Sequence, residues 1–293
     1  MKNRSILNTP RVLELKRQKR KILARKIFFL MFLVILILVG LSFLSKWQRI
    51  NIDNIQISGN KVVETKMIED VVKEKLAGNY LWFFPRTNFL LYPKGEIEKE
   101  LAMRFKRLKD ISFSVKNLKT LDISLTERTA LYTYCGAQLP ELNSSQQNCY
   151  FMDDSGYIFD KAPFFSGEIY LKFYGTTSVG SPTPETDPSG SYFFQPNFTK
   201  LISFKENLKK IGLKPIVFFI QDDGDINMFL SSSSASQMGP EIMFKADSDF
   251  EKVAENLQTV LTTEPLQTDF KNKYSSLLYI DLRFGNKVYY KFK

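Results

Sequence analysis

The hydrophobic pattern opens with one continuous apolar run, residues 27–44, IFFLMFLVILILVGLSFL, which contains no charged residue. As a helix this run would span about 27 Å, close to the ~30 Å hydrocarbon core of a bilayer. A buried core helix fits less well, because the run is apolar on every side and lies between Lys26 and Lys46. A cleaved signal peptide would need a shorter apolar region and small residues at a cleavage site, whereas SKWQ follows. The pattern therefore predicts a retained transmembrane helix over residues 27–45.

The next segment, residues 46–127, changes between strand and helix periodicity several times. Apolar residues alternate in its strands and recur every three or four positions in its helices. The predicted elements are a strand at 50–57, a helix at 65–78, a second helix around 97–105, and strands at 111–117 and 120–128. The order is therefore β-α-α-β-β. Two helices on a three-stranded sheet can bury both of their apolar faces.

The remaining segment, residues 128–293, predicts a second domain of strands and helices. Its clearest strands are 215–220, 226–231, 241–245, 277–284 and 287–292, and its clearest helices are 199–212 and 248–262. Ser248 and Glu251 have the spacing of a capping box at the start of the second helix. Residues 176–191 are rich in Ser, Thr and Pro and predict a surface loop. The fold class is therefore α+β: one transmembrane helix, a β-α-α-β-β domain, and a mostly antiparallel sheet domain with flanking helices.

The last two predicted strands, 277–284 and 287–292, are joined by Gly285 and Asn286. A two-residue Gly-Asn loop is typical of a β-hairpin. No predicted element follows to cover the outer edge of the second strand. An uncovered edge can accept a strand from another chain.

The distribution of charge argues against a nucleic-acid-binding surface. Residues 1–26 hold ten Lys or Arg and one Glu, so this tail accounts for +9 of the formal net charge of +10. The rest of the chain is close to neutral and has no excess of positive charge to attract phosphates. A basic tail before an apolar helix stays on the cytoplasmic side by the positive-inside rule. The pattern predicts a cytoplasmic N-terminus and extracytoplasmic C-terminal domains.

The chain contains no histidine. Triads with an imidazole base and histidine zinc sites are therefore impossible. Ser58 and Lys61 fit an S-x-x-K pattern, but its partner motifs are missing, so a turn is the better interpretation. The acidic cluster 222–225 lacks the ligand spacing of a calcium loop and is interpreted as a hairpin turn. Asp153 and Asp154 are expected to face water beside another turn. We expect no catalytic residues, no cofactor, no metal and no small-molecule substrate.

Two cysteines, Cys135 and Cys149, bracket a polar loop. In an oxidising compartment they could form a disulfide that closes this loop. Two free thiols are the other alternative, because the sequence does not define the redox state of the compartment.

The element order and several sequence segments resemble a known bacterial family. The opening IDNIQISGNKVVETKMIEDVV is similar to a POTRA (polypeptide-transport-associated) domain. A basic tail, one membrane helix and a single POTRA domain is the layout of the FtsQ/DivIB family of cell-division proteins. Three further segments resemble that family: ISLTERTAL at 123–131, CYFMDDSGYIF at 149–159 and YIDLRF at 279–284. The implied domains are a tail at 1–26, a membrane helix at 27–45, a POTRA domain at 46–127 and an FtsQ-like β domain at 128–293.

The resemblance implies a non-catalytic scaffold of the cell-division machinery, held in the cytoplasmic membrane at the division septum. Its implied partners are the lipid bilayer and membrane-anchored coiled-coil proteins of the FtsB/DivIC and FtsL type. The last strands would bind these partners. Tyr289 and Tyr290 would be aromatic anchors, and Arg283 would be an ion-pairing specificity element. The implied binding residues are Arg283, Phe284, Gly285, Asn286, Lys287, Val288, Tyr289 and Tyr290.

Two other functions stay open at this point. A membrane-anchored enzyme of peptidoglycan metabolism would need convergent carboxylates in a cleft. A POTRA-containing translocation component would normally carry repeated POTRA units and a barrel of many strands. Neither feature is evident in the sequence.

Overall fold

The computed structural model of the chain describes residues 10–140, 148–165, 167–177, 187–232, 239–285 and 287–293. These residues form two compact units, each with its own core. The first unit extends to Arg104 and also includes Asp110–Thr126, and the second contains Phe105–Lys109 and Glu127–Lys293. Most of the predicted loop 176–191 lies outside the described residues.

The first unit begins with a single long helix, α1, Pro10–Ser45. The part from Arg17 to Ser45 is long and apolar enough to cross a membrane, which is compatible with a membrane span or a signal anchor. The helix starts well before the predicted apolar run, because the Lys, Arg and Leu residues that precede the run favour helix. Most side chains of the apolar run are exposed, whereas Ser42 and Ser45 are buried.

The rest of the first unit is a small mixed α/β layer with a short hairpin. Its elements are β1 (Asn54–Ser58), α2 (Thr65–Leu76), β2 (Asn79–Tyr80), β3 (Phe84–Pro85), α3 (Lys94–Arg104), β4 (Leu108–Lys116) and β5 (Thr120–Glu127). The sheet has the order β1-β5-β4, and β1 is parallel to β5. The β2–β3 hairpin was not predicted, because each strand is only two residues long.

The core of this layer matches the predicted helix periodicity. Ile68 and Val72 of α2 and Ile97 and Leu101 of α3 are fully buried. Ile123 of β5, the central strand of the sheet, is also fully buried. Gly59 makes the closest backbone approach: it has a φ of +94°, and a Cβ there would lie 1.9 Å from the carbonyl oxygen of Leu125. The turn after β1 therefore requires glycine.

The second unit is built on one nine-stranded sheet. Its strands and helices are β6 (Tyr132–Tyr134), β7 (Tyr150–Met152), β8 (Ile158–Lys161), β9 (Lys172–Tyr174), α4 (Phe198–Lys210), β10 (Pro215–Ile220), β11 (Asp225–Leu230), β12 (Glu241–Lys245), α5 (Phe250–Leu261), α6 (Leu266–Asn272), β13 (Leu277–Phe284) and β14 (Lys287–Phe292). The strand order is β14-β13-β12-β11-β10-β9-β6-β7-β8.

The sheet is mixed: among the described strand pairs five are antiparallel, as predicted for most of the sheet, and three are parallel. β9 is parallel to both β10 and β6, and β12 is parallel to β13. Parallel neighbours need a crossover connection, and the helices supply two of them. α4 lies in the chain between β9 and β10, and α5 and α6 lie between β12 and β13. The helices at 199–212 and 248–262 were predicted, but the sequence pattern revealed neither their role as crossovers nor the strand directions.

Aromatic packing fills the space between the helices and one face of the sheet. Phe204 of α4 contacts Phe244 of β12 and Phe250 of α5, with ring centroids 5.0 Å and 5.7 Å apart. Phe173 of β9 stacks on Phe218 of β10 at 5.6 Å. These rings bury large apolar areas and add favourable edge and stacking geometry.

Two local predictions were wrong. Asp249, not Ser248, caps α5: its carboxylate accepts hydrogen bonds from the backbone N–H groups of Glu251 and Lys252. Asp153, expected to face water, is 2% exposed and forms an ion pair with Arg128.

Candidate functional site

The strand β14 is the candidate site, because it lies at one end of the nine-stranded sheet. Among the strands that the structure describes, it pairs only with β13, in antiparallel register. The edge facing away from β13 therefore presents a row of backbone N–H and C=O groups without a sheet partner. Such a row is a template for an added strand.

The side chains of β14 divide between the core and the solvent. Val288 and Phe292 pack against the main core cluster. Tyr289 and Tyr290 are 50% and 37% exposed, and Phe284 at the end of β13 is 56% exposed. The rings of Phe284 and Tyr289 meet edge to face, with centroids 5.5 Å apart. The hairpin thus combines an open backbone edge with exposed aromatic side chains, while Val288 and Phe292 fix it to the core.

Of the two predicted turn residues, the structure describes only Gly285. Gly285 follows β13 with a φ of +65°, a left-handed conformation that favours glycine. Asn286 lies outside the described residues. Phe284 and Lys287 pair across the turn, and Lys287 is exposed.

Arg283 is held inside the chain by two carboxylates. Its Nε and Nη2 donate to Asp281 at 2.9 Å and 2.7 Å, and its Nη1 donates to Asp225 of β11. Its hydrogen bonds to Asp281, the largest cause, and to Asp225 raise the pKa of the Arg283 guanidinium. A bidentate arginine–carboxylate pair fixes the geometry of both groups. Arg283 therefore differs from the expected intermolecular specificity element, because its ionic contacts are made within the sheet.

The acidic partners of Arg283 lie on the face of the sheet opposite the helices, and Asp281 belongs to a row of residues paired in register. The strand register places Asn227, Met243, Asp281 and Tyr289 on successive strands from β11 to β14. Burial would raise the pKa of Asp281, but the hydrogen bonds from the side chain and backbone of Arg283 outweigh it and lower that pKa. Asp281, which pairs with Arg283, is thus the register partner of the exposed Tyr289 on the edge strand.

Glu241, at the start of β12, differs from these carboxylates. Burial raises the pKa of its carboxyl group, although the side chain of Asn227 donates a 2.6 Å hydrogen bond to it. The side-chain oxygen of Asn227 is buried and has no hydrogen-bond partner among the described residues. A carboxylate and an amide oxygen thus share a poorly solvated position beside the ion pairs of Arg283.

The two cysteines form a disulfide in the structure, with Cα atoms 4.1 Å apart. Cys135 directly follows β6, and Cys149 directly precedes β7. The bond therefore joins two strands that already pair in the sheet. Cys135 packs with Tyr174 and Val217 in a small second cluster.

Sequence reasoning identified the hairpin but missed the residues that support it. Asp281 and Arg283 lie two positions apart on one strand, a spacing that places both on the same face, so their contact was predictable. Asp225 was interpreted only as part of a turn, and its pairing with Arg283 across 58 positions has no local signal. Among the described residues, no group of three or more acidic or cysteine side chains could hold a metal ion.

No known protein-family model matches the chain, and no curated protein shows significant similarity to it.

Proposed function

We propose that this chain is a non-catalytic scaffold of bacterial cell division that binds membrane-anchored partner proteins through the β13–β14 hairpin. The observation that carries the proposal is the edge strand β14, which combines an open backbone edge with the exposed rings of Tyr289 and Tyr290. The resemblance of the segment YIDLRF to the FtsQ/DivIB family supports the same hairpin. The partners would be coiled-coil division proteins of the FtsB/DivIC and FtsL type.

The proposed membrane layout follows from α1. Its apolar part would cross the cytoplasmic membrane once, and the basic residues before it would keep the N-terminus in the cytoplasm. Both remaining parts of the chain would then lie on the outer side, at the division septum. The disulfide between Cys135 and Cys149 is consistent with an oxidising compartment.

The first unit would serve as a POTRA domain with a role in recruitment. Its order of elements, β1-α2-α3-β4-β5 around the short β2–β3 hairpin, supports this assignment. The sheet order β1-β5-β4, in which β1 is parallel to β5, supports it further.

Binding at β14 would proceed by addition of a partner strand. Backbone hydrogen bonds along the open edge would supply affinity, and the side chains that alternate along the strand would supply selectivity. Tyr289 and Tyr290 would act as aromatic anchors. The ion pairs of Arg283 with Asp225 and Asp281 would keep the hairpin in one conformation, which lowers the entropic cost of binding.

The test is the affinity of the full-length chain in lipid nanodiscs for its full-length FtsB/DivIC-type and FtsL-type partners. The double variant Phe284→Ser, Tyr289→Ser removes two exposed rings from the hairpin. We expect its affinity to fall about 30-fold, the effect of an aromatic hot spot of about 2 kcal/mol.

The matched control is the double variant Phe164→Ser, Ile169→Ser. These side chains are 78% and 62% exposed, so their removal deletes similar apolar surface at another place. The control is expected to bind like the wild type. Equal binding by the hairpin variant and the wild type would contradict the proposed site.

A further inference from the structure

The tip of the β2–β3 hairpin exposes three large apolar side chains in a row. Leu81, Trp82 and Phe83 are 79%, 89% and 56% exposed. Leu90 and Leu91, which follow β3, add further exposed apolar surface, at 74% and 42%. Contiguous exposed apolar residues mark a surface that binds a partner or a membrane.

The backbone presents this tip in an unusual conformation. Leu81 and Trp82 have φ angles of +48° and +69°. Residues with a Cβ rarely adopt this left-handed region, and such residues cluster at functional positions. The base of the hairpin is held firmly: the guanidinium of Arg86 lies 4.8 Å from the ring centre of Tyr80 and also pairs with Glu96. The apolar tip is thus displayed by a fixed support.

The hairpin contacts the last turn of α1. The hydroxyl of Ser42 donates a 3.0 Å hydrogen bond to the carbonyl oxygen of Phe83. The side chain of Asn88, which follows β3, donates to the hydroxyl and the carbonyl oxygen of Ser45, at 3.1 Å and 3.3 Å. Ser42 and Ser45 lie three positions apart and therefore share one face of the helix. The two serines are buried in the last turn of α1, whereas most side chains of the apolar run are exposed.

These contacts define the height of the tip relative to the apolar run. Ser42 precedes Leu44, the last residue of the run, by two positions, or about 3 Å along the helix axis. The backbone of Phe83 therefore lies level with the end of the apolar run. If α1 spans a bilayer, this level is the boundary between hydrocarbon and headgroups. Tryptophan is enriched at that boundary because its ring is apolar and its N–H is polar.

We propose that the tip Leu81–Trp82–Phe83 inserts into the interfacial layer of the outer leaflet and forms a second membrane contact beside α1. The occupant of this surface is the phospholipid bilayer, since the tip is bonded to the helix at the height of the membrane boundary. The proposal rests on the proposed anchoring by α1. Its consequence is a fixed orientation of the first unit on the membrane, in place of free rotation around α1.

The test uses the two tryptophans of the chain, Trp47 and Trp82. The full-length variant Trp47→Phe contains Trp82 as its single tryptophan and is reconstituted into phosphatidylethanolamine–phosphatidylglycerol vesicles. Fluorescence is measured with spin-labelled lipids and, separately, with aqueous iodide. We expect lipids labelled near the headgroup to reduce Trp82 emission about twofold, and iodide to have little effect, as for an interfacial ring.

Two further single-tryptophan variants separate the possible results. Trp82→Phe keeps Trp47, which follows α1 and reports whether the helix is anchored. A Val62→Trp variant without the other tryptophans is the control for a water-exposed position, because Val62 is 65% exposed and lies beyond the far end of β1. It is expected to be quenched by iodide and not by labelled lipid.

Quenching of Trp47 by lipid together with quenching of Trp82 only by iodide would overturn the proposal and leave the anchoring by α1 intact. A protein partner would then be the candidate occupant of the tip. Shielding of Trp82 from both quenchers would also overturn it, because it would show contact between copies of the chain. Failure of lipid to quench either tryptophan would reject both the anchoring and the insertion.

Discussion

Glu241 is a residue whose buried position is expected to reduce stability at neutral pH. Its pKa is raised by burial, so the folded state favours the protonated carboxyl. Below its unfolded-state pKa both states are protonated and no destabilisation arises. As pH rises through the folded pKa, the buried charge destabilises the native state. We expect Glu241→Gln to be more stable than the wild type at pH 8 and equal to it at pH 4, measured by urea unfolding.

Asp281 is the matched residue with the opposite sign. The hydrogen bonds from Arg283 outweigh burial and lower its pKa, so its carboxylate contributes stability above the unfolded pKa and loses it as pH falls. Asp281→Asn is therefore expected to be less stable than the wild type at pH 8, with a difference that disappears at low pH. If both variants change stability in the same direction at pH 8, the opposite pKa shifts assigned to Glu241 and Asp281 are wrong.

A second prediction at the residue scale concerns the ion pair of Arg128 and Asp153. Both side chains are largely buried, and the guanidinium also lies 3.9 Å from the ring centre of Tyr157. Arg128→Met would leave a buried carboxylate without its cation, at a cost of about 3–5 kcal/mol in the free energy of unfolding. The control is Arg107→Met, whose partner Asp160 is 45% exposed, so the lost ion pair contributes about 1 kcal/mol or less. Equal losses would contradict this ranking.

The element scale offers a direct test at the start of α5. Asp249 accepts backbone hydrogen bonds from Glu251 and Lys252, whereas Ser248 precedes the cap. Loss of an N-cap side chain costs about 1 kcal/mol. We expect Asp249→Ala to lower the free energy of unfolding by this amount and Ser248→Ala to leave it nearly unchanged. A larger effect of Ser248→Ala would restore the capping box that the sequence suggested.

The predictability of the elements followed their length and periodicity. The helices α2, α4 and α5 were predicted from apolar spacing, and their buried faces agree with it. The strands β6 and β9 are only three residues long and have no alternation to detect. Their place in the sheet is determined by pairing with distant strands. For the same reason the parallel pairing of β12 with β13 could not be predicted from local pattern.

The site shows the same limit at the level of side chains. The exposed Tyr289 and Tyr290 could be predicted because they lie on a hairpin with a Gly-Asn loop. The contacts of Arg283 with Asp225 could not, because β12 lies between their strands and the pairing depends on the completed sheet. Local sequence thus predicts the exposed part of the site, whereas its support is a product of tertiary structure.

At the scale of the whole molecule, the two units carry different spectroscopic and chemical markers. Both tryptophans, Trp47 and Trp82, belong to the first unit, and both cysteines belong to the second. These tryptophans are 56% and 89% exposed, so their emission changes little on unfolding. Unfolding of each unit is therefore followed by hydrogen exchange of its own backbone amides. The disulfide closes a segment with a sequence separation of 14. Closure of a loop of this size contributes about 3 kcal/mol, chiefly by restricting the unfolded chain.

The double variant Cys135→Ser, Cys149→Ser is therefore expected to destabilise the second unit by about 3 kcal/mol. The amides of the second unit should lose protection at a lower urea concentration, while those of the first unit should keep theirs. Treatment of the wild type with reductant should reproduce the shift and serves as the control for the serine side chains. An equal shift for the amides of the first unit would show that the two units unfold as one cooperative system. In that case a ligand bound at β14 would also stabilise the first unit by mass action, since binding to the native state stabilises everything that unfolds with it.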